Sequence, residues 1–337
     1  MTRTSIIRLD YSGSAYSPSP AVKRALSASL RMVNAYPYEW YEELKKAIAD
    51  YSNVKPENVL PTNGGDEAIG MLTFLFGKRV LIPAPTYGEY EYIAKGAGSQ
   101  IRLKQCMADG RNYELRYTDS DLRWATLTWI CNPNNPTGTI TERERIDAFV
   151  EKAKGIAVVD EAYMEFCNES VADLIGKHRN LIVLRTFSKA FGLSGIRLGY
   201  LIANADLIRR LNNSKQEFNV NRSARDAGIA ALKSMGYYRR KIAGVIRERD
   251  ILEKRLSDGG VFTFKSNGGF VFIRFESNSE MRYVYSGLKK SNIIAFIASD
   301  PEFSGLHGPY MRAAIGTHSQ MVKFAERLLE LVAEYRK

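Results

Sequence analysis

The 337-residue sequence is short of the groups that staple small folds or bind metals. Its three cysteines, Cys106, Cys131 and Cys167, are scattered, and it has only three histidines. That excludes a disulfide framework or metal knuckle, argues against a histidine-rich metal site and leaves a reducing cytoplasm as the expected setting. Long hydrophobic runs are missing too. Met1 is followed by polar Thr2 and Arg3 and a short apolar stretch, and no later stretch reaches the roughly 18 consecutive apolar residues of a membrane span. Neither an export or anchoring segment nor a membrane partner is expected. Repeats and low-complexity tracts are absent, which removes solenoid and disordered readings. Blocks of one charge are also scarce. The net charge of +11 is diluted in mixed runs such as Arg247-Glu248-Arg249-Asp250 and Glu142-Arg143-Glu144-Arg145. Such runs are solvated helix faces, and neither a basic helix-turn-helix nor an aromatic-studded basic sheet is visible, so a nucleic-acid partner is not expected. The residual positive field favours small phosphorylated or carboxylated molecules.

What is present is core-forming material, 45% of the residues being hydrophobic, enough for a large domain and a smaller one. Apolar runs at 79–82, 125–130, 156–159 and 181–184 each end in a turn-rich or polar segment and read as buried strands of a parallel sheet. Helical patterns lie between or beside them at 66–77, 87–96, 141–154 and 171–178. The alternation predicts an α/β layered domain. Residues 195–203 read as a strand running back through the sheet, since the turn at 192–194 is too short for a helical crossover. Helices are expected at 205–211, 224–232 and 237–256, the last bridging to a tail of strands at 261–265, 269–275 and 310–315 and helices at 279–290 and 319–335. That tail forms a smaller α+β domain.

In open parallel sheets functional groups gather beyond the carboxyl ends of the strands, where Asn135, Asp160 and Lys189 each fall. Lys189 lies in Thr186-Phe187-Ser188-Lys189-Ala190-Phe191-Gly192, after a β-branched run. Shielded by Phe187 and Phe191, its amine is placed to capture an electrophile. A lysine-bound pyridoxal needs a carboxylate against its pyridine nitrogen, and Asp160 is the candidate, although a helix N-cap is the ordinary use of such a residue. Tyr163, one helical turn on, and Asn135, in a turn fixed by two prolines and a glycine, are candidates for the ring oxygen. Asn63-Gly64-Gly65-Asp66 supplies a glycine turn and helix start for a phosphate, with Ser188 and Arg197 completing it from the next strand. Tyr87, at a strand end, is placed to stack on the pyridine face.

These segments resemble the class I/II aminotransferases of fold type I, and most closely their histidinol-phosphate aminotransferase-like subgroup, from about Leu9 to about Gly316. The strongest pieces are residues 132–138, 159–163 and the run from 188 to 200. The resemblance implies a mostly parallel seven-stranded sheet between helices in a large domain, 31–236. A smaller α+β domain from both termini, 1–30 and 237–337, completes the fold. It implies pyridoxal 5'-phosphate in Schiff-base linkage to Lys189, Asp160 on the pyridine nitrogen, and Asn135 and Tyr163 on the ring oxygen. Gly65, Asp66, Glu67, Thr186, Ser188 and Arg197 would hold the phosphate and Tyr87 would stack. Tyr36 would reach the neighbouring subunit's phosphate in a homodimer, and Arg312 would bind the substrate carboxylate. The implied reaction is transamination between an amino acid, or an amino-alcohol phosphate, and a 2-oxo acid, with Lys189 shuttling the α-proton.

Two departures bear on the donor. Phe296, in Ile293-Ile294-Ala295-Phe296, stands where the subgroup carries an arginine, and Asp10-Tyr11-Ser12-Gly13-Ser14 replaces an Asn-Glu-rich segment. Both argue against histidinol phosphate and for an aromatic or other amino acid entering beside Phe296. Threonine-phosphate decarboxylases share these motifs, so the motifs alone leave the bond that breaks open. A cofactor-binding regulator would need an added DNA-binding domain, for which no residues remain.

Overall fold

The computed structural model describes residues 6–11, 15–37, 41–107, 109–298 and 303–337. Its centre is a seven-stranded sheet: β1 (Val59–Thr62), β2 (Arg79–Ala84), β3 (Gln100–Gln105), β4 (Leu127–Cys131), β5 (Ile156–Asp160), β6 (Leu181–Thr186) and β7 (Gly199–Ala203). The spatial order is β1-β7-β6-β5-β4-β2-β3. Strands β2 to β6 pair in parallel, while β7 runs antiparallel to both β6 and β1. The mostly parallel sheet and the returning strand match the expectation, and β4, β5 and β6 are buried throughout except at Ile156. Their continuous apolar sequence suits strands covered on both faces.

Helices Gly64–Phe76, Glu89–Gly96 and Arg143–Lys152 connect the strands, and Ala205–Asn212, Arg222–Leu232 and the long Met235–Asp258 follow β7. Beyond them β8 (Phe262–Thr263), β9 (Phe270–Arg274), β10 (Phe296–Ile297) and β11 (Tyr310–Ala314) form an antiparallel sheet in the order β8-β9-β11-β10. Helices Asn278–Lys290 and His318–Tyr335 pack together beside it. No helix among the described residues is long and apolar enough to cross a membrane.

Three expectations need correction. The segment 171–178 is only a five-residue 3-10 turn, Ala172–Gly176. The strand at 195–203 starts four residues late, because Ser194–Ile196 is a 3-10 turn and Arg197 then takes a left-handed conformation with φ 57°. That reversal is what turns the chain into β7. The strand at 261–265 shrinks to two residues. Two sheet strands gave no clear signal: β1 is four residues with a central proline, and β3 alternates polar and apolar residues because it is an edge with one wet face.

Candidate active site

A cleft of about 780 Å³ lies beyond the carboxyl ends of β4, β5 and β6. Ten sequence-selected residues line it: Gly65, Asp66, Tyr87, Asn135, Asp160, Tyr163, Thr186, Ser188, Lys189 and Arg197. Three of the thirteen lie elsewhere. Glu67 turns its carboxylate away, accepting hydrogen bonds from the Asn63 N–H (2.5 Å) and the Asn219 amide (2.8 Å). Tyr36 is 62% exposed, its ring 5.0 Å from that of Phe218. Arg312 is wholly buried behind the cleft wall.

Lys189 leaves β6 in a tight reversal. The Gly192 N–H returns to the Lys189 carbonyl (3.0 Å) and the Leu193 N–H to that of Phe187 (3.0 Å), with Gly192 at φ 62°. The reversal exposes the lysine to the cleft while Phe187 and Phe191, 4.8 Å apart, are buried in the core. It is the Tyr163 ring that faces the amine, with Nζ 5.5 Å from its centroid. Tyr163 stands just before a 3-10 turn, Met164–Phe166, rather than in a helix.

Asp160 is the last residue of β5 and is 4% exposed. Its Oδ1 accepts the Ala162 N–H at 3.0 Å and its Oδ2 accepts the Tyr90 hydroxyl at 2.5 Å. Burial pushes its carboxyl up to about 6, opposed by those two hydrogen bonds and by the positive charge of Lys189. A carboxylate this deep is costly unless a cation faces it. A protonated pyridine nitrogen is such a cation. One position further, Glu161 pairs with Arg185 on β6 at 2.8 Å in full burial, bracing the two strand ends that carry Asp160 and Lys189.

The turn 132–138 is rigid for identifiable reasons. The Asn132 Oδ1 accepts the Thr141 N–H (2.7 Å), and the Asn134 amide donates to the Pro85 carbonyl (3.1 Å) and to Thr137 (2.9 Å). Thr86 donates to the Asn134 Oδ1 at 3.0 Å, tying this turn to the one carrying Tyr87. Held between them, Asn135 accepts the Arg312 Nη1 donor at 2.6 Å through its Oδ1, which leaves its NH₂ as a donor. The Arg312 Nη2 donates to the Asp10 carbonyl at 2.6 Å. On β11 Arg312 lies directly opposite Phe296 of β10, whose ring is 4.9 Å from the guanidinium carbon and also lines the cleft. Phe303 and Phe270 lie at 5.0 and 5.5 Å. Arg312 is thus screened from the cleft by an aromatic ring.

At the opposite side the N-terminus of helix Gly64–Phe76 faces the cleft. Gly64 has φ +76°, and a Cβ there would come within 2.6 Å of the Arg197 Nη2. Arg197, off the strand where it was expected, ion-pairs with Asp66 at 2.5 Å and donates to the Ser194 carbonyl at 3.0 Å. Thr186 and Ser188 hydroxyls lie 3.0 Å apart. Helix N–H groups, an arginine and two hydroxyls match a phosphate, and the buried Asp160 and cleft-facing Lys189 match the pyridine and aldehyde of pyridoxal phosphate. The residues fit that cofactor. Among the described residues no His, Cys, Asp or Glu cluster is arranged to hold a metal.

Tyr90 and Tyr11 also belong to the cleft and were not singled out for it. Tyr90 stands three residues after Tyr87, in the first turn of helix Glu89–Gly96, with the two rings edge-on at 5.6 Å, and its closeness in sequence to Tyr87 was the available signal. Tyr11 packs edge-on to Phe296 with ring centroids 5.6 Å apart. Residues 12–14 of the replaced N-terminal segment lie outside the described residues.

The family described as aminotransferase class I and II matches residues 5–328. The histidinol-phosphate aminotransferase of Thermoanaerobacter pseudethanolicus is 36% identical over 285 residues, covering 82% of this chain and 78% of that one. Its counterpart from Clostridium acetobutylicum superposes with a TM-score of 0.89 at 25% identity, over 98% of this chain and 100% of that one. The Sinorhizobium meliloti histidinol-phosphate aminotransferase in complex with pyridoxal-5'-phosphate shares the fold, with a TM-score of 0.86 at 24% identity over 98% and 92% of the two chains. A lysine, a buried aspartate and a glycine-led helix start meeting at the strand ends are the chemistry this match calls for, and the chain belongs to the class I and II aminotransferases as a pyridoxal-phosphate-dependent transaminase of fold type I.

Proposed function

We propose that the enzyme moves an amino group from a donor with an uncharged, bulky side chain to a 2-oxo acid, acting as a cytoplasmic homodimer in which Tyr36 completes the neighbouring phosphate site. The observation that carries the donor class is the cleft's lining, which includes the rings of Tyr11, Tyr92 and Phe296 and the carboxylate of Glu89. Aromatic faces reward apolar surface, and carboxylates repel a phosphomonoester dianion. Its two cationic side chains, Lys189 and Arg197, are assigned to the cofactor. The exposure of Tyr36 supports a role outside its own cleft.

Bound pyridoxal phosphate supplies the electron sink for the pair left at the donor α-carbon. The remaining work falls to the chain. Asp160 would hold its carboxylate against the pyridine nitrogen, and the Asn135 NH₂ and Tyr163 hydroxyl would donate to the ring oxygen. The Gly65, Asp66 and Glu67 N–H groups, Thr186, Ser188 and Arg197 would hold the phosphate. Tyr87, fixed by strand pairing opposite Phe303, would stack on the ring. Lys189 would bond the cofactor's aldehyde carbon, and its Nζ, once free, would take the donor's α-proton and carry it to that carbon, two atoms along. Arg312 receives the substrate carboxylate after the Phe296 ring moves aside.

Histidinol phosphate is the second reading, favoured by the names of the relatives. Spectra of the cofactor-loaded enzyme, taken while donors are added singly, decide between the two. Bleaching by phenylalanine, tyrosine or leucine supports the proposal, whereas bleaching by histidinol phosphate alone overturns the donor class. Loss of the visible band in Lys189→Ala tests the linkage. Sedimentation equilibrium showing only monomers would remove the homodimer.

A further inference from the structure

Asp160 has one cleft-facing partner to hold and two fixed ones behind it. The Ala162 N–H, 3.0 Å from Oδ1, is backbone and comes with the turn. The Tyr90 hydroxyl, 2.5 Å from Oδ2, is a side chain that reaches across 70 positions of sequence from helix Glu89–Gly96. It has no freedom to choose another orientation. Its ring is 0% exposed, stacks on Trp129 of β4 at 4.4 Å and 10° between planes, and meets Tyr87 edge-on at 5.6 Å. Trp129 is itself fully buried under helix Gly64–Phe76 and its neighbours. A rigid stack therefore aims one O–H at one oxygen.

We propose that Tyr90 is a positioning residue which, through its hydroxyl, keeps Asp160 ionised and turned toward the pyridine nitrogen, and so sets the cofactor's affinity and its electron-withdrawing power. The inference rests on the reading of Asp160 as the pyridine partner. Burial pushes the Tyr90 phenol well above its ordinary range, so it remains a donor and never competes with Asp160 as an anion. The charged groups facing Asp160 are Lys189 beyond β6 and Glu161 beside it, with the Cys131 thiol on β4 also close. Tyr90 also follows closely on Tyr87, so one strand-to-helix segment, Thr86–Tyr87 and Glu89–Gly96, supplies both the ring-face contact and the carboxylate's support.

The sign of the effect follows from the hydrogen bond. A donor to the ionised form holds a carboxyl group's pKa down, and its removal lets burial push the group higher. Below that pKa Asp160 is neutral and no longer pairs with a pyridinium. Cofactor affinity must therefore fall on the acid side, and the fall must begin at higher pH when the Tyr90 hydroxyl is missing. Losing one hydrogen bond to a charged group corresponds to about one pH unit, or about tenfold in affinity.

The experiment titrates full-length apoenzyme with pyridoxal phosphate from pH 5 to 8, for the wild type, Tyr90→Phe and Trp129→Phe. Tyr90→Phe keeps the stack and removes only the oxygen, and circular dichroism of each apoenzyme certifies its fold. The expected result is an acid limb displaced upward by about one unit and about tenfold weaker binding at pH 7 in Tyr90→Phe. The limb stays in place in Trp129→Phe. A second arm uses 1-deazapyridoxal phosphate, whose ring lacks the nitrogen, and wild type and Tyr90→Phe should then bind equally. An unmoved limb in Tyr90→Phe overturns the proposal, as does an equal displacement in Trp129→Phe, which would assign the effect to packing. Equal loss with the deaza analogue overturns it as well. If Asp160→Asn binds pyridoxal phosphate as well as the wild type, with no acid limb in either, the pyridine reading fails and this inference falls with it.

Discussion

Arg312→Lys keeps a positive charge at a buried position and removes its geometry. The guanidinium serves Asn135 and the Asp10 carbonyl at 2.6 Å each. A lysine carries one ammonium on a flexible stem, and reaching both acceptors while receiving a carboxylate is beyond it. Leaving one buried acceptor without its donor costs about 1–3 kcal/mol, to which the lost contacts with Phe270, Phe296 and Phe303 add. The variant should therefore be less stable by about 2–4 kcal/mol. Replacing a bidentate contact by a point charge removes about 1.5–3 kcal/mol from the substrate complex, so kcat/KM for a 2-oxo acid acceptor should fall by about 10- to 150-fold. Cofactor affinity, anchored at Lys189 and the phosphate cradle, should change far less. Stopped-flow half-reactions with the amine form of the enzyme measure the acceptor step directly. The decisive control is a primary amine without a carboxylate, whose slow reaction should be spared. Equal losses for substrates with and without a carboxylate would refute the reasoning and reduce Arg312 to a structural brace for Asn135.

Asp160→Asn should lower kcat by about 10³ at pH 7, since unit charges about 4 Å apart at an effective dielectric near 20 are worth about 4 kcal/mol; steady-state rates on cofactor-saturated enzyme check it, and a loss below tenfold would contradict the assignment. Gly64→Ala places a Cβ within 2.6 Å of Arg197 at φ +76° and should cost about 1–3 kcal/mol in thermal stability together with weaker cofactor binding. Glu165→Gln should erase a pH dependence. Burial pushes the Glu165 carboxyl up to about 7, so the folded state holds a proton that the unfolded chain has lost, and stability declines as pH climbs from about 5 through about 7. The shift corresponds to about 3 kcal/mol, and chemical denaturation at pH 5 and pH 8 should show wild type losing stability relative to the glutamine variant.

Asn135, Asp160 and Lys189 were readable in the sequence because a buried parallel strand announces itself as a short apolar run, and each of the three follows such a run. The site's chemistry was legible for the same reason that its geometry is reproducible. Other parts depended on distances that sequence does not carry. Arg197 reads like part of a strand, but its left-handed conformation follows from closure of the turn at 194–197 against Gly64. Phe187 and Phe191 flank the lysine in sequence, yet alternation along the chain turns them into the core. Tyr90 looks like an ordinary aromatic on a short helix until the fold brings it to Asp160. The burial of Arg312 behind Phe296 depends on cross-strand register between β10 and β11, which no local pattern in either strand sets.

The hydrogen bond between Arg312 and Asn135 joins the antiparallel sheet of the C-terminal half to the turn that reaches the ring oxygen. Whatever loads one end of that bond is felt at the other, and equilibrium thermodynamics requires the traffic to be symmetric. A dicarboxylate or 2-oxo acid that draws Arg312 toward itself alters the donor available to the Asn135 Oδ1, and a seated cofactor alters in equal measure the readiness of Arg312. The enzyme's grip on its cofactor is then a reporter of substrate occupancy, legible as a change in the rate of cofactor loss when acceptor is present.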